Sequence, residues 1–256
     1  MKRHRKPGGK WLEKADRTRR RMGYYGELEK YFESSDKSII DKLVDFPKYV
    51  PNNAIARFLA RYEIFKLCLD VHGVVVECGV LSGTGVMTFS QISSILEPYN
   101  QSRTIIGFDT FKGFPEISPK DRKGSSENLF VGAYAEDTYE DIMECSRIHE
   151  GFRLLNRKPQ VELIRGDICR TVPDYISNNP HVVVSMLYLD CDLYEPTKTA
   201  LEHFTPRMPK GAVIVFDELC FKEFPGETLA LLDTIGIPSL RIRRLPYTKI
   251  SYAVLE

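Results

Sequence analysis

Five strongly apolar runs punctuate the chain, and stretches with helical character separate them. The runs are residues 74–80, 104–109, 161–167, 182–190 and 212–218. Apolar strands that alternate with helices are typical of a parallel sheet covered by helices on both faces. Two more strand-like runs, LRIRRLP and KISYAVLE, follow near the C-terminus. The pattern predicts an α/β fold with a doubly wound, mostly parallel seven-stranded sheet and right-handed crossovers.

Residues 23–72 precede the first strand and predict a helical N-terminal extension. A mixed-charge helical stretch ends at FPKYVPNN, and Pro51 with the two asparagines after it suits a new helix start. The next stretch, AIARFLARYEIFKLCLD, has the apolar spacing of an amphipathic helix. Residues 73–256 then form the predicted main domain. Within it, residues 112–160 are longer than a standard crossover and predict a lid-like insertion.

The N-terminal segment differs in charge from the rest of the 256-residue chain. Residues 1–21 hold ten Lys and Arg against two acidic residues, and the remaining 26 basic and 33 acidic residues leave the body at −7. The segment has no apolar core, so we do not expect a secretory signal. We expect a flexible basic tail over residues 1–22, and no specific nucleic-acid partner, because no aromatic-rich basic face follows it.

The cysteines and the apolar run lengths indicate where the protein works. No run is long enough to span a membrane. None of the six cysteines forms a C-x-x-C pair, and several lie inside strand-like runs. Reduced thiols and no zinc site are therefore expected, as in a cytoplasmic protein.

Each of the five apolar runs has a carboxylate at its C-terminal end. These acids are Glu77, Asp109, Asp167, Asp190 and the pair Asp217–Glu218. In an open parallel sheet, ligands bind in the crevice outside the carboxyl ends of the strands. The five ends would therefore line one crevice, although any single acid can also be a helix cap or a solvated terminus.

The first strand leads into a glycine-rich turn with the pattern E-x-G-x-x-x-G-x-G. Its residues are Glu77, Gly79, Gly83 and Gly85. The nicotinamide pattern fails because Thr88 replaces the third glycine, and no G-K-[ST] follows as in a phosphate-binding loop. The turn resembles motif I of class I S-adenosylmethionine (SAM) methyltransferases. That resemblance implies that these four residues bind SAM, that Asp109 accepts hydrogen bonds from its ribose hydroxyls and that Asp167 contacts its adenine amino group.

The last two parallel strands carry the acids expected to hold a metal. Carboxylates from Asp190, Asp217 and Glu218 can converge on a hard divalent cation such as Mg²⁺. The arrangement resembles the magnesium site of catechol O-methyltransferase-like enzymes. Those enzymes carry a lysine three residues after the first aspartate, where this chain has Leu193, so a lysine-base mechanism does not transfer.

Four ordered strings give a closer resemblance. They are VVECGVLSGTG, GFDTFKGFPE, LYLDCDLYEPTKTAL and KGAVIVFDEL. Together they look like the macrocin/mycinamicin-type sugar O-methyltransferases, from about Arg57 to the C-terminus. The resemblance implies a Rossmann-like methyltransferase fold and metal-assisted methylation of a deoxysugar hydroxyl. The sugar would be linked to a nucleotide, a glycosylated natural product or a polysaccharide precursor. Glu218 stands where the family often has Asp, so it can bind a metal differently or through water.

In the predicted mechanism, the acceptor hydroxyls bind a cation on the three carboxylates. Asp190 or Asp192 then accepts the proton that the hydroxyl loses. Tyr194 and Glu195 lie just beyond and are predicted to contact the sugar, although they suit the start of a helix equally well.

Three other functions stay open at this point. A catechol-type small-molecule O-methyltransferase would use the same cofactor and metal. A cephalosporin-hydroxylase-like metal enzyme would share the fold. An adaptor that binds through its basic tail would leave the acids unexplained. The sequence does not name the acceptor, and a homo-oligomer is compatible with it.

Overall fold

The computed structural model describes residues 19–256, with side chains from Gly23 onward. The predicted basic tail therefore lies outside the described residues, except that helix α1 (Arg19–Ser34) includes its last four positions. Residue contacts divide the chain into two compact units, with the boundary between Ile55 and Ala56.

The first unit is helical, as the sequence predicts. After α1 it contains helix α2 (Ile39–Val44) and a 3-10 turn (Phe46–Lys48). The Ser38 hydroxyl caps α2 by accepting from the Asp41 amide at 3.1 Å. The Tyr49 ring stacks on Tyr31 with centroids 5.5 Å apart, which ties the 3-10 turn to α1.

The second unit holds the sheet. Its strands are β1 (Val74–Cys78), β2 (Ile105–Asp109), β3 (Val161–Arg165), β4 (Val184–Leu189), β5 (Val213–Phe216), β6 (Arg243–Arg244) and β7 (Ser251–Val254). Their order is β3-β2-β1-β4-β5-β7-β6. The first five strands pair in parallel, and β7 pairs antiparallel with β5 and β6. The predicted doubly wound, mostly parallel seven-stranded sheet is confirmed.

Helices cover both faces of this sheet. They are α3 (Asn52–Lys66), α4 (Thr84–Leu96), α5 (Tyr139–Glu150), α6 (Ile168–Asn178), α7 (Tyr194–Phe204) and α8 (Gly226–Asp233). Each face has its own apolar core. Phe65, Phe89 and Tyr188 belong to one core, whereas Phe108 and Phe204 belong to the other. Alternate residues of the buried strands therefore serve opposite cores.

Helix α3 explains why the structural boundary differs from the predicted one at residue 72. Ala60, Ile64 and Phe65 on α3 are buried in the core that packs on β1 and β4. The chain from Ala56 therefore belongs to the sheet unit, since the apolar face of the helix needs the sheet to bury it.

The insertion after β2 is irregular in its first half and helical in its second. It contains a 3-10 turn (Asp121–Lys123) and then α5. Asp121 is buried, and its Oδ1 accepts the Tyr194 amide at the start of α7 at 2.8 Å. The insertion is thus attached next to the end of β4, as expected of a segment that borders the crevice. Whether it acts as a lid stays a prediction.

Strained backbone collects at the carboxyl edge of the sheet. Within residues 19–256, five non-glycine residues adopt a left-handed conformation: Leu81, Phe111, Tyr134, Asp192 and Cys220. Four of them follow the ends of β1, β2, β4 and β5, and the other lies in the insertion. Such conformations cost energy and persist where the surroundings impose them, often at functional sites.

No helix within residues 19–256 has the length and apolar character needed to cross a membrane. The six cysteines are free thiols, and Cys68, Cys78 and Cys191 among them are buried.

Gly79 gives a test of how tightly the ends of β1 and β4 approach. Its φ is +93°, and a Cβ there would overlap the carbonyl of Asp190. Gly79→Ala should therefore lower the free energy of unfolding by about 3 kcal/mol or more, through strain and overlap together. Urea denaturation measures this.

Gly132 supplies the matched control. Its φ is +83°, but nothing lies within 4 Å of the position that a methyl group there would take. Gly132→Ala should cost only the backbone strain, about 1 kcal/mol. Equal losses for the two variants would show that the close approach at Gly79 is unimportant.

Candidate active site at the carboxyl edge of the sheet

Glu77 lies in β1 beneath the glycine-rich turn and is almost fully buried. Its side chain is 1% exposed, and Oε2 has no hydrogen-bond partner. Burial raises the pKa of Glu77 to about 7, against the opposing effect of Arg61. A buried carboxylate oxygen without a partner is costly, and it points to a ligand that would satisfy it.

The glycines make room for that carboxylate and for the turn above it. A Cβ on Gly85 would overlap the Glu77 carboxylate, so only glycine fits there. Gly83 has a φ of +79° and precedes α4 as its N-cap residue. The turn therefore places the N-terminus of α4 over Glu77, which leaves backbone close enough to contact a ligand.

Asp109 at the end of β2 braces the same turn. Its Oδ2 accepts the amides of Val80 at 2.7 Å and Leu81 at 2.9 Å. Its Oδ1 accepts the Phe111 amide at 2.7 Å. A carboxylate has about four acceptor positions, so three backbone bonds leave little capacity for two ribose hydroxyls. The ribose role of Asp109 stays a prediction, and the structure adds a bracing role.

Asp167 acts as a helix cap. Its side chain accepts the Cys169 amide at 3.0 Å and so begins α6. The sequence left a cap and an adenine contact open, and the cap is present. The adenine contact stays a prediction.

Asp190 and Asp192 follow β4 and are partly buried. Burial, Asp217 and Asp192 raise the pKa of Asp190 well above its ordinary value. Burial and Glu218 do the same for the pKa of Asp192. Asp192 also adopts a left-handed φ of +61°. The predicted catalytic acids thus sit in a crowded carboxylate cluster on strained backbone.

Asp217 and Glu218 follow β5, and Lys249 binds both of them. The Lys249 Nζ lies 2.7 Å from Asp217 Oδ2 and also contacts Glu218 Oε1. Burial by itself would raise the pKa of Asp217. The charges of Lys249 and Arg57 together outweigh burial, so the pKa lies below its ordinary value. For Glu218, burial prevails and the pKa is raised. Lys249 therefore helps to outweigh the effect of burial on the pKa of Asp217, but it does not outweigh that effect for Glu218.

Several side chains that contribute to this cluster are not among the predicted site residues. Tyr188 on β4 donates to Asp217 at 3.2 Å, and the Arg61 guanidinium lies 5.3 Å from the Tyr188 ring centroid. Glu227 on α8 is fully buried and accepts the Glu218 amide at 2.7 Å. Burial raises its pKa well above the ordinary value, and Asp217 adds to this. The sequence alone could have pointed to Arg61, because this residue places a charge on the apolar face of α3.

Tyr194 and Glu195, which are predicted to contact the sugar, are the first two residues of α7. Tyr194 is 5% exposed and donates through its hydroxyl to Asp233 at 2.8 Å. Glu195 is exposed in the first turn of the helix. The helix-start interpretation thus describes both residues, and their contact with substrate stays a prediction.

Aromatic side chains of the insertion approach the same acids. Tyr134 packs edge-on against Phe114 with centroids 5.4 Å apart, and tilted against Phe224 at 6.4 Å. Burial raises the pKa of Tyr134, and the nearby charges of Asp192 and Glu218 contribute. The insertion therefore brings an aromatic wall to the acidic end of the crevice.

The predicted metal ligands have the right chemistry for a divalent cation, but they are not arranged as a metal site in this structure. Asp190, Asp217 and Glu218 offer the carboxylate oxygens that Mg²⁺ prefers, and their crowding would be relieved by more positive charge. Yet no group of three or more His, Cys, Asp or Glu within the described part of the chain is arranged to hold a metal ion. The Lys249 ammonium contacts one carboxylate oxygen of Asp217 and one of Glu218.

The fold and these residues define a class I methyltransferase architecture: a glycine-rich turn after β1, a buried acid beneath it and acids at the ends of β4 and β5. The family model of macrocin O-methyltransferase (TylF) matches residues 65–226. The chain therefore belongs to the macrocin O-methyltransferase (TylF) family, and the resemblance seen in the sequence is confirmed.

Individual relatives agree with the family. Mycinamicin III 3''-O-methyltransferase of Micromonospora griseorubida is 31% identical over 152 residues, which are 59% of this chain and 56% of that protein. The match thus spans little more than half of that relative. A crystal structure of CalS11, a calicheamicin methyltransferase, is 32% identical with a TM-score of 0.87, and the alignment covers 93% of both chains.

A second structure shows the fold alone. The O-methyltransferase NovP is 20% identical with a TM-score of 0.60, covering 78% of this chain and 79% of that one. The sheet and its helices are therefore retained at low sequence identity.

Glu77→Gln should separate stability from cofactor binding. The pKa of Glu77 is about 7 in the folded protein against an ordinary 4.5, so the folded state binds more protons between these values. The free energy of unfolding should therefore fall as pH rises from about 4.5 to about 7. Glu77→Gln removes this dependence and should stabilise the ligand-free protein at pH 8 by about 1–3 kcal/mol.

The same variant should bind S-adenosylhomocysteine more weakly by calorimetry. Glu140→Gln, at an exposed position on α5, is the control and should change neither the pH slope nor the affinity. An unchanged pH slope in Glu77→Gln would contradict the buried, uncompensated state of this carboxylate.

Proposed function

We propose that the protein transfers the methyl group of SAM to a hydroxyl of a deoxysugar, with assistance from a divalent cation. The observation that carries this is the placement of two different half-sites along one edge of the sheet. Glu77 and its glycine turn lie at β1, and the cluster of Asp190, Asp192, Asp217 and Glu218 lies at the adjacent β4 and β5. Family membership supports the same assignment.

The first half-site suits the methyl donor. SAM carries a positive sulfonium and an ammonium group, and the turn offers a buried carboxylate oxygen without a partner at Glu77. The glycines allow backbone to approach the ligand closely. Asp109 holds the turn in shape, and we propose that it and Asp167 still reach the ribose and the adenine.

The second half-site suits an acceptor hydroxyl that must lose a proton. The methyl group leaves the sulfonium as the hydroxyl oxygen attacks in line, which yields a methyl ether and S-adenosylhomocysteine. The proton goes to a carboxylate, and Asp190 and Asp192 are the nearest candidates to the end of β4. A bound cation would supply Lewis-acid stabilisation of the hydroxyl oxygen, held by Asp190, Asp217 and Glu218.

The acceptor class rests on relatives rather than on contacts. CalS11 is described as a TDP-rhamnose 3'-O-methyltransferase in its apo structure, which is 30% identical to this chain with a TM-score of 0.78. The curated mycinamicin relative is a 3''-O-methyltransferase. We propose a deoxysugar acceptor, and nucleotide-linked sugars, glycosylated natural products and free sugars should be assayed side by side.

A catechol-type enzyme is the alternative within the same cofactor class. The position of its lysine is Leu193 here, which is 2% exposed and offers no base. A catechol in the acceptor panel tests this alternative directly. An iron-dependent oxygenase would oxidise its substrate without transferring label from SAM.

The activity assay uses methyl-labelled SAM with this acceptor panel. Label should enter a sugar hydroxyl, and Asp190→Asn should lower kcat by about 100-fold or more while S-adenosylhomocysteine still binds. Asp174→Asn, an exposed substitution on α6, is the control and should retain full activity. No transfer to any sugar, or an unaffected Asp190→Asn, would contradict the proposal.

The metal contribution is tested separately. Treatment with EDTA should lower turnover at least tenfold, and added Mg²⁺ should restore it in the wild type but not in Asp217→Asn. Turnover that is the same with and without EDTA would remove the cation from the mechanism while leaving the methyl transfer in place.

A further inference from the structure

Lys249 contacts both Asp217 and Glu218, and its position on the fold is specific. It lies in the turn between β6 and β7, which the Leu245 amide closes by donating to the Ile250 carbonyl at 3.3 Å. From there its ammonium reaches the two acids at the end of β5. A hairpin at the edge of the sheet thus delivers a positive charge to the crevice.

The cluster holds more carboxyl groups than cationic side chains even with this lysine. Five carboxylates lie at the ends of β4 and β5 or on α8 beside them: Asp190, Asp192, Asp217, Glu218 and Glu227. The cationic side chains that face them are Lys249, Arg57 at 3.9 Å from Asp217, and Arg61 over the Tyr188 ring. An excess of acidic over basic groups in a partly buried site favours the binding of a further cation.

Lysine and a divalent cation would compete for the same two carboxyl groups. The ammonium pairs with Asp217 Oδ2 at 2.7 Å and with Glu218 Oε1. A magnesium ligand must approach the ion to about 2.0–2.1 Å along the same lone pairs. A divalent cation on these carboxylates would therefore meet the positive charge of the lysine, and we expect each cation to weaken the binding of the other.

The lysine is able to move. Its side chain is 34% exposed, and its flexible four-carbon stem starts from a surface turn. The Nζ also lies 5.6 Å from the Phe221 ring centroid, so an aromatic face is already beside it. Release from the carboxylates would hydrate the ammonium rather than bury it unpaired.

We propose that Lys249 is a built-in counter-cation of this cluster, which neutralises Asp217 and Glu218 when no divalent cation is bound and leaves them when one binds. The inference rests on the proposed metal-assisted function. It assigns to the chain a residue that sets metal affinity. In this role Lys249 acts through Asp217 and Glu218 and is not a catalytic residue.

Two consequences follow for a neutral replacement of Lys249. Without metal, Lys249→Met leaves the carboxylates uncompensated, so the melting temperature in EDTA should fall by several degrees. With metal, the competitor is gone, so Mn²⁺ or Mg²⁺ should bind at least tenfold more tightly than to the wild type. The gain in melting temperature on adding metal should therefore be larger in the variant.

The experiment measures melting temperatures in EDTA and in Mg²⁺, and Mn²⁺ affinity by calorimetry, for the full chain. Lys249→Gln serves as a second neutral variant should Lys249→Met fail to fold, and Lys249→Arg keeps the charge and should show no gain in affinity. The control is Lys198→Met. Lys198 has the same 34% exposed side chain and pairs with Glu202 at 3.7 Å on the surface of α7, so its replacement should change neither quantity.

The outcomes separate this inference from the function beneath it. Tighter Mn²⁺ binding by both neutral variants, together with a larger stabilisation by metal, supports exchange. Equal or weaker binding by the neutral variants overturns exchange, and the metal role stands if turnover of the wild type is still sensitive to EDTA. No Mn²⁺ binding by any variant, with turnover indifferent to EDTA, overturns both.

Discussion

Repulsion among buried carboxylates is the constraint on which this site depends. Asp190, Asp192 and Asp217 lie at the adjacent ends of β4 and β5, where burial and mutual repulsion oppose their ionisation. The fold offsets this with a cation from the β6–β7 turn and with Arg61 from the apolar face of α3. Because the counter-charges come from elements distant in sequence, the site forms only when the antiparallel edge and the helix are both in place.

The acids themselves could be predicted from the sequence because they follow a rule of topology. Parallel strands end at one edge, so a carboxylate after each apolar run must reach that edge. Glu77, Asp190 and Asp217 were found in this way, and the structure places them at the adjacent ends of β1, β4 and β5. The glycine-rich turn could also be predicted, because the positions of Gly79 and Gly85 leave no room for a side chain.

The partners of those acids could not be predicted in the same way. Lys249 lies in a short polar turn with no periodicity, and its target is set by how β7 pairs with β5. Glu227 reaches the cluster from α8, and nothing in its local sequence distinguishes it from a solvated helical acid. Which side chains meet across different helices and strands depends on tertiary packing and not on the local sequence pattern. The partners of the predicted acids are therefore harder to predict than the acids themselves.

Asp109 and Asp167 show why a motif can be right about a position and incomplete about its role. Both stand where a cofactor contact was expected, yet Asp109 accepts three backbone amides and Asp167 caps α6. These bonds shape the loops that would contact a nucleoside. Removing either carboxylate would therefore weaken ligand binding even if it never touched the ligand. Loss of affinity alone cannot assign a contact here, and a ligand lacking the ribose hydroxyls is needed to separate bracing from recognition.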